Sequence, residues 1–192
     1  RGGPSVHTAL AKHFRDAHKG ACGAILAGDY LVALATRVLV EATKGHRRQS
    51  ELLGAFAEMQ LAAVLGQQLD TSGGEAEAEK VYELKTASYT VFGPLYLGAL
   101  LGGAGARALR GLERFSKPLG IAFQLRDDLL SLFASPKQTG KPFANDLREG
   151  KQTWIVQWTM SHGSREQQRA VRKVLGVHSA KSADVRAAFG AI

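Results

Sequence analysis

The sequence has 192 residues, of which 45% are hydrophobic and 22% charged, and this composition excludes a generally disordered chain. Its single cysteine, Cys22, excludes an internal disulfide framework and a cysteine-rich zinc site, and predicts a reducing, cytoplasmic environment. A formal net charge of +8 predicts an anionic partner or substrate. The opening residues show no signal-peptide pattern, which agrees with a cytoplasmic location.

Helix-forming residues spaced by about 3.6 positions dominate the sequence, and no alternating run of β-branched residues has the length of a strand. The pattern predicts an all-α fold in a single domain over residues 1–192. Pro118 should kink the fourth helix, and a loop rich in glycine and proline should follow that helix up to about Asn145. In chain order, the predicted helices run from about His18 to Thr43, Gln49 to Asp70, Ala76 to Leu101, Ala106 to Phe133, Asp146 to His162 and Ser164 to Leu175.

The segment 86–106 has no charged residue and approaches the length of a membrane-spanning helix. Pro94 and several glycines interrupt it, and polar residues stand at its start. We interpret the segment as a buried helix in a large α-helical core, and we expect no transmembrane segment.

The positive charge of the chain could serve a nucleic acid or a phosphorylated small molecule. Basic residues are dispersed, and the only tight cluster is His46-Arg47-Arg48. No zinc-finger spacing, RNA-binding signature or basic region with heptads is present, so we expect no nucleic-acid partner. A basic helical nucleic-acid-binding module is an alternative, which a steep salt dependence of DNA or RNA binding would identify.

An acidic pair, Asp127-Asp128, lies near the end of the fourth predicted helix between apolar residues. Burying two adjacent carboxylates is unfavourable unless a cation meets them. Gln124 precedes the pair by about one helical turn and therefore shares its face. The pattern is typical of a metal-binding helix, while a solvated helix edge with the pair bound to Arg126 is the plainer alternative.

Lysines and further carboxylates surround this pair in the sequence. Lys141 belongs to the predicted loop, and Asp146 and Lys151 follow it. Mg²⁺ prefers one or two carboxylates together with waters and phosphate oxygens, and lysine provides a point charge for phosphate. The combination predicts a magnesium–diphosphate site. In the alternative, Asp146 only caps a helix and the two lysines are solvated.

Two earlier segments could contribute to the same site. Lys85 stands at the start of the uncharged helix, where it could form a cationic rim or simply extend its charge into solvent. Gln67 and Asp70 are three positions apart on a mostly apolar helix, so both could face one polar pocket or could belong to an ordinary helix end.

Taken in order, these motifs resemble the polyprenyl synthetase (trans-isoprenyl diphosphate synthase) family over nearly the whole chain. Within the family they resemble the bacterial geranylgeranyl diphosphate synthases. The resemblance implies an all-α isoprenoid-synthase helical bundle around a central cavity and a homodimer. It also implies Mg²⁺-dependent joining of isopentenyl diphosphate to an allylic diphosphate, with a longer all-trans product of the geranylgeranyl type. The matching segments are Arg1–His7, Ala27–Tyr30, Gly66–Asp70, Lys85–Tyr89, Phe123–Asp128 and Thr139–Lys151.

The resemblance implies a role for each matching charged residue. Asp127 and Asp128 would hold Mg²⁺ on the allylic diphosphate. Lys85, Lys141 and Lys151 would neutralise that diphosphate.

The resemblance also assigns polar residues to the substrate pocket. Gln124 and Thr86 would lie near the reacting allyl group and complete the catalytic set with Lys85 and the acidic pair. Arg1 would bind isopentenyl diphosphate. The other implied pocket residues are Gln67, Asp70 and Tyr89.

Two departures from the family pattern bear on activity. Ser131 stands at the fifth position of the second aspartate-rich motif, where an aspartate is common. The sequence starts just after the place of the first aspartate-rich motif and stops before the usual C-terminal helices, so we expect it to be part of a longer enzyme. A non-catalytic family member that regulates an active partner is the alternative function.

Overall fold

A computed structural model describes residues 3–72, 77–133 and 145–192, and every regular element in these ranges is a helix. The predicted all-α fold class is confirmed. Two compact units divide the chain, Arg1–Gly54 and Ala55–Ile192. The elements are α1 (Val6–Phe14), α2 (Ala17–Ala42), α3 (Gln49–Ser72), α4 (Ala78–Tyr82), a π-helical segment (Glu83–Phe92), α5 (Gly93–Leu101), α6 (Ala106–Phe133), α7 (Asn145–Arg148), α8 (Trp154–His162), α9 (Arg165–Arg172) and α10 (Ser182–Ala191).

The first unit, Arg1–Gly54, contains a hairpin of α1 and α2. The chain turns at Arg15, which has a left-handed backbone conformation (φ 54°). Asp16 caps α2 by accepting a hydrogen bond from the backbone N–H of Lys19 at 3.0 Å. Gly20 lets the two helices approach closely, because a Cβ at that position would lie 2.6 Å from the backbone nitrogen of Ala11.

Helix α2 exposes several large apolar side chains, among them Ile25, Tyr30 and Val38. Among the described residues it is the one helix long and apolar enough to cross a membrane, judged by length and composition. The uncharged segment 86–106 is not among the helices that meet these criteria of length and composition. One such helix is weak support for a membrane span, because core helices of soluble proteins share its length and composition.

The second unit, Ala55–Ile192, is organised around the π-helical segment, which packs against α6. A Cβ on Gly66 of α3 would lie 2.7 Å from Cα of Lys85, and a Cβ on Gly120 of α6 would lie 2.5 Å from Cα of Ala87. Both obstacles are backbone atoms, so these two positions accept only glycine without a shift of the main chain. The π-helical segment is therefore in direct backbone contact with both α3 and α6.

The helices after residue 144 share a hydrophobic core with the end of α6. Thr153 begins α8 by accepting a hydrogen bond from the N–H of Val156 at 3.3 Å, and Ser164 and Gln167 form a capping box on α9. These caps fix where both helices start. The buried side chains of the core are Leu132, Leu147, Val156, Val171, Val174, Val185 and Ala188.

The observed helices differ from the predicted ones mainly where the chain bends. Helix α6 has the predicted bounds and continues through Pro118. The predicted helix Ala76–Leu101 is three consecutive elements, because the π-helical segment interrupts the α-helical pattern. The predicted helix Asp146–His162 is divided at Gly150, whose φ of 76° ends α7. Helices α1 and α10 were not predicted, and the predicted loop before Asn145 lies outside the described residues.

Candidate active site

A chain of hydrogen bonds links α6 to the π-helical segment and to α8. Thr86 donates from Oγ1 to Oε1 of Gln124 (2.6 Å), and Gln124 donates from Nε2 to Oδ1 of Asp128 (2.9 Å). The hydroxyl of Tyr82 donates to Oδ2 of Asp128 and accepts from the backbone N–H of Trp154 (2.7 Å). Both carboxylate oxygens of Asp128 therefore accept hydrogen bonds.

Burial alters the acid–base properties of this chain of hydrogen bonds. Tyr82 and Asp128 are each only 5% exposed. Burial raises the pKa of the Asp128 carboxyl, and the charges of Asp146 and Asp127 add to the increase, while hydrogen bonds from Tyr82 and Gln124 oppose it. Burial and the hydrogen bond to Asp128 raise the pKa of Tyr82 far above its usual range, so its hydroxyl stays protonated and able to donate.

Lys85 stands next to Thr86 in the π-helical segment and pairs with Asp70 of α3. Its Nζ lies 2.5 Å from Oδ2 of Asp70, and both side chains are partly buried. Because Lys85 directly precedes Thr86, the pair lies beside the buried hydrogen bonds, and the charge of Asp70 contributes to the raised pKa of Tyr82. A positive charge is thus held at the edge of the same group of residues.

A second lysine–carboxylate pair lies at α7. Nζ of Lys151 is 2.7 Å from Oδ1 of Asp146 and 3.2 Å from Oε2 of Glu149. Burial lowers the pKa of Lys151, but the hydrogen bonds and charges of the two carboxylates outweigh it and raise the pKa above its usual range. Asp146 is 6% exposed, and α7 packs against α6, so this pair borders the same group of residues; the charge of Asp146 raises the pKa of Asp128.

Asp127, the first member of the acidic pair, is exposed. Within the described ranges its carboxylate joins no hydrogen bond or ion pair. Ser131, one turn later on α6, has a buried hydroxyl that finds no hydrogen-bond partner there either. Asp127 is therefore the carboxylate of the pair that is open to a cation from solvent.

The described residues fit a magnesium ion that a substrate helps to bind. They contain no group of three or more His, Cys, Asp or Glu side chains that could hold a metal by themselves. Mg²⁺ requires fewer, because it keeps several waters and takes its other ligands from phosphate oxygens. Asp127 can supply a carboxylate oxygen directly, and Asp128 could add a lone pair not used by Tyr82 or Gln124.

The structure gathers most of the predicted site residues in the second unit. Gln67 is exposed and donates a hydrogen bond to Thr71 (2.8 Å), and Tyr89 is 49% exposed on the π-helical segment. Arg1 and Lys141 lie outside the described residues. Hydrogen bonds join Thr86, Gln124 and Asp128, and ion pairs join Lys85 to Asp70 and Lys151 to Asp146.

Three positions of this site were missed by the sequence interpretation. Tyr82 forms the hydrogen bonds that join Asp128 to α8, and Gly66 and Gly120 allow the close approach of the backbones around Lys85. The available signal for Tyr82 was its place four positions before Thr86, on the same side of a helix. For the glycines, the signal was their position inside long helices, where glycine is unfavourable unless the helix needs close contact.

Comparison with known proteins shows the family of the chain. The polyprenyl synthetase family model matches residues 1–192. The chain is 37% identical over 146 residues to a (2E,6E)-farnesyl diphosphate synthase of Mycobacterium tuberculosis, covering 73% of this chain and 40% of that protein. It is 32% identical over 193 residues to a geranylgeranyl diphosphate synthase of Sulfolobus acidocaldarius, covering 96% of this chain and 56% of that protein.

A solved structure shares the fold over the full length of the chain. It is a geranylgeranyl pyrophosphate synthase of Corynebacterium glutamicum complexed with isoprenyl diphosphate and magnesium, with a TM-score of 0.87 and 33% identity. The match covers 100% of this chain and 58% of that one, so the chain spans little more than half the length of this relative. With the family model matching from the first residue to the last, the chain belongs to the polyprenyl synthetase family.

Proposed function

We propose that the protein containing this chain condenses isopentenyl diphosphate with an allylic diphosphate to give a longer all-trans polyprenyl diphosphate. The observation that carries the proposal is the arrangement around α6 and the π-helical segment. Two lysine–carboxylate pairs, Lys85–Asp70 and Lys151–Asp146, border a buried set of polar side chains that ends beside the exposed Asp127. Such a group of charges suits a diphosphate bound with a hard cation.

The side chains can divide the work of the reaction. The reaction breaks the C–O bond of the allylic diphosphate and joins the resulting cation to the double bond of isopentenyl diphosphate. The ammonium groups of Lys85 and Lys151 would stabilise the negative charge that grows on the departing diphosphate. The hydroxyl of Thr86 and the amide of Gln124 would orient the allylic chain. The proton released at the end goes to the diphosphate, so no side chain is assigned as the base.

A bound Mg²⁺ would act as a Lewis acid on the diphosphate oxygens, and Asp127 and Asp128 would hold it. The exposed position of Asp127 supports its assignment as a ligand. Because both oxygens of Asp128 already accept hydrogen bonds, its contribution to the metal is smaller and its contribution to the orientation of Gln124 is larger. The protein's use of Mg²⁺ is part of the proposal.

We propose that the product is geranylgeranyl diphosphate. We also propose that the protein is a homodimer and acts in the cytoplasm. The match to geranylgeranyl synthases extends over 96% and 100% of this chain, while the match to the mycobacterial farnesyl synthase extends over 73%. Lys141 would add a third positive charge for the allylic diphosphate, Arg1 would bind isopentenyl diphosphate, and Gln67, Asp70 and Tyr89 would line the pocket.

The test is an assay of the full-length protein with radiolabelled isopentenyl diphosphate, Mg²⁺ and allylic substrates of increasing length. We expect a C20 product after dephosphorylation and chromatography. A shorter or longer product would correct the chain length and leave the reaction type standing. Absence of any labelled prenyl product with every allylic substrate would refute the proposal. If the inactive protein then changed the turnover or product of an active relative on mixing, it would be a regulatory member of the family.

A further inference from the structure

Tyr82 holds an unusual position between three elements of the second unit. It is the last residue of α4, and its hydroxyl is used twice, as donor to Asp128 on α6 and as acceptor from the backbone N–H of Trp154 on α8. The first N–H groups of a helix have no partner within that helix. Thr153 satisfies the N–H of Val156, and Tyr82 satisfies that of Trp154, so a side chain from α4 completes the start of α8.

The partners of Asp128 also determine the orientation of Gln124. An ionised carboxylate can only accept hydrogen bonds, so Gln124 must direct its Nε2 towards Asp128 and its Oε1 towards the hydroxyl of Thr86. If Asp128 turned about its side-chain bonds, Gln124 would lose this arrangement. The donation from Tyr82 to the other oxygen of Asp128 prevents that rotation.

The oxygen of the same hydroxyl accepts a hydrogen bond from the segment that follows Lys151. This lysine lies three positions before Trp154, and its ammonium group pairs with Asp146. Fixing the N–H of Trp154 against Tyr82 therefore fixes the short stretch that leads from Lys151 into α8. One phenol therefore hydrogen-bonds both Asp128 and the backbone that follows Lys151.

We infer that Tyr82 is a positioning residue for the prenyl-transfer reaction, which orients Gln124 through Asp128 and the Lys151 stretch through Trp154. The inference rests on the proposed function. Tyr82 contacts neither substrate in this view, and the loss of its hydroxyl acts on the rate through the groups it holds. Misplacing reacting groups by about 1 Å lowers rates by on the order of 100-fold, so an effect of about 10- to 100-fold on kcat is expected.

The test compares Tyr82→Phe with Tyr96→Phe in the full-length protein. Tyr96 lies on α5 and packs its ring against Phe92, and its hydroxyl makes no hydrogen bond within the described ranges. Tyr82→Phe should lower kcat about 10- to 100-fold with a much smaller change in KM for either diphosphate, measured well below both melting temperatures. Tyr96→Phe should keep wild-type kinetics.

A second comparison separates positioning from a loss of stability. In the background of Asp128→Asn, the additional change Tyr82→Phe should lower kcat by a clearly smaller factor than it does alone, because the two residues act through one another. Amide hydrogen exchange at Trp154 should become faster in Tyr82→Phe and stay unchanged in Tyr96→Phe.

The outcomes separate the inference from the proposed function. An active wild-type protein whose kcat survives Tyr82→Phe would overturn the inference and leave the function intact. Full additivity with Asp128→Asn would do the same. A wild-type protein without prenyl transfer would refute the function and, with it, the inference.

Discussion

The contact between Gly120 and Ala87 predicts that alanine changes stability in opposite directions at two glycines of α6. In Gly120→Ala, the new Cβ would lie 2.5 Å from Cα of Ala87, so α6 and the π-helical segment must separate. Overpacking of this kind costs about 1–3 kcal/mol, and the backbone obstacle favours the upper part of that range. Replacing glycine by alanine in a helix interior returns about 1 kcal/mol. The net expectation is a loss of about 1–2 kcal/mol.

Gly111 is the matched control, because it lies on the same helix and a Cβ there would meet no atom within 4 Å. Gly111→Ala should therefore gain up to about 1 kcal/mol from helix propensity alone. For a domain of about 150–250 residues 1 kcal/mol corresponds to about 2–4 °C in Tm, and the shift is smaller in a longer protein. Thermal unfolding of the full-length variants should show Gly120→Ala melting below the wild type and Gly111→Ala at or above it.

The same pair of variants tests whether the π-helical segment carries the site. Lys85 and Thr86 precede Ala87 directly, so a displaced segment should lower kcat/KM in Gly120→Ala even at temperatures where it is fully folded. Gly111→Ala should retain the wild-type value. A Gly120→Ala protein with unchanged Tm and activity would show that the packing argument is wrong.

Three further predictions concern the charges of the site. Asp127→Ala should lower turnover by about two to three orders of magnitude with unchanged far-UV circular dichroism. Glu113→Ala, which removes a partly exposed carboxylate that pairs with Lys117 on the same helix, should leave turnover intact. Near-normal turnover of the Asp127 variant would assign that residue to the solvated surface. Excess chelator should abolish product formation and added Mg²⁺ should restore it; equal product with and without chelator would exclude metal dependence. Lys85→Met should clearly raise KM for the allylic diphosphate in steady-state assays and should change Tm only slightly. A lower Tm with an unchanged KM would make Lys85 a structural partner of Asp70.

The sequence was sufficient to predict the fold class and the bounds of α6. The helical periodicity of Ala106–Phe133 depends on local spacing and continues through Pro118, so the sequence alone was enough to predict where this helix begins and ends. The π-helical segment could not be predicted in this way, because its residues do not distinguish a π-helical turn from an α-helical one and it lies in close contact with α3 and α6. Helix α10 was missed because its pattern is short and its partners are distant in sequence, with Val171 in α9 and Val174 in the turn after it.

The candidate site shows the same division between local and long-range information. The spacing of Gln124 and the acidic pair predicted that they share a face of one helix, and Gln124 donates a hydrogen bond to Asp128. The two aspartates nevertheless have different environments, with Asp127 exposed and Asp128 buried, and adjacent identical residues give no sign of this. The role of Tyr82 depends on Trp154, which is distant in sequence and offers only its backbone N–H.

The backbone contacts at Gly66 and Gly120 also bear on how the site could be altered by protein engineering. Lys85 and Thr86 stand on main chain that already touches two neighbouring helices, so these side chains are oriented by the folded backbone before any ligand arrives. Larger residues at either glycine would disturb that orientation. Gly98 on α5, where a Cβ would meet no atom within 4 Å, accepts a new side chain without moving that backbone. Variant libraries that keep the two contact glycines and vary open positions would therefore leave the charged groups of the site in place.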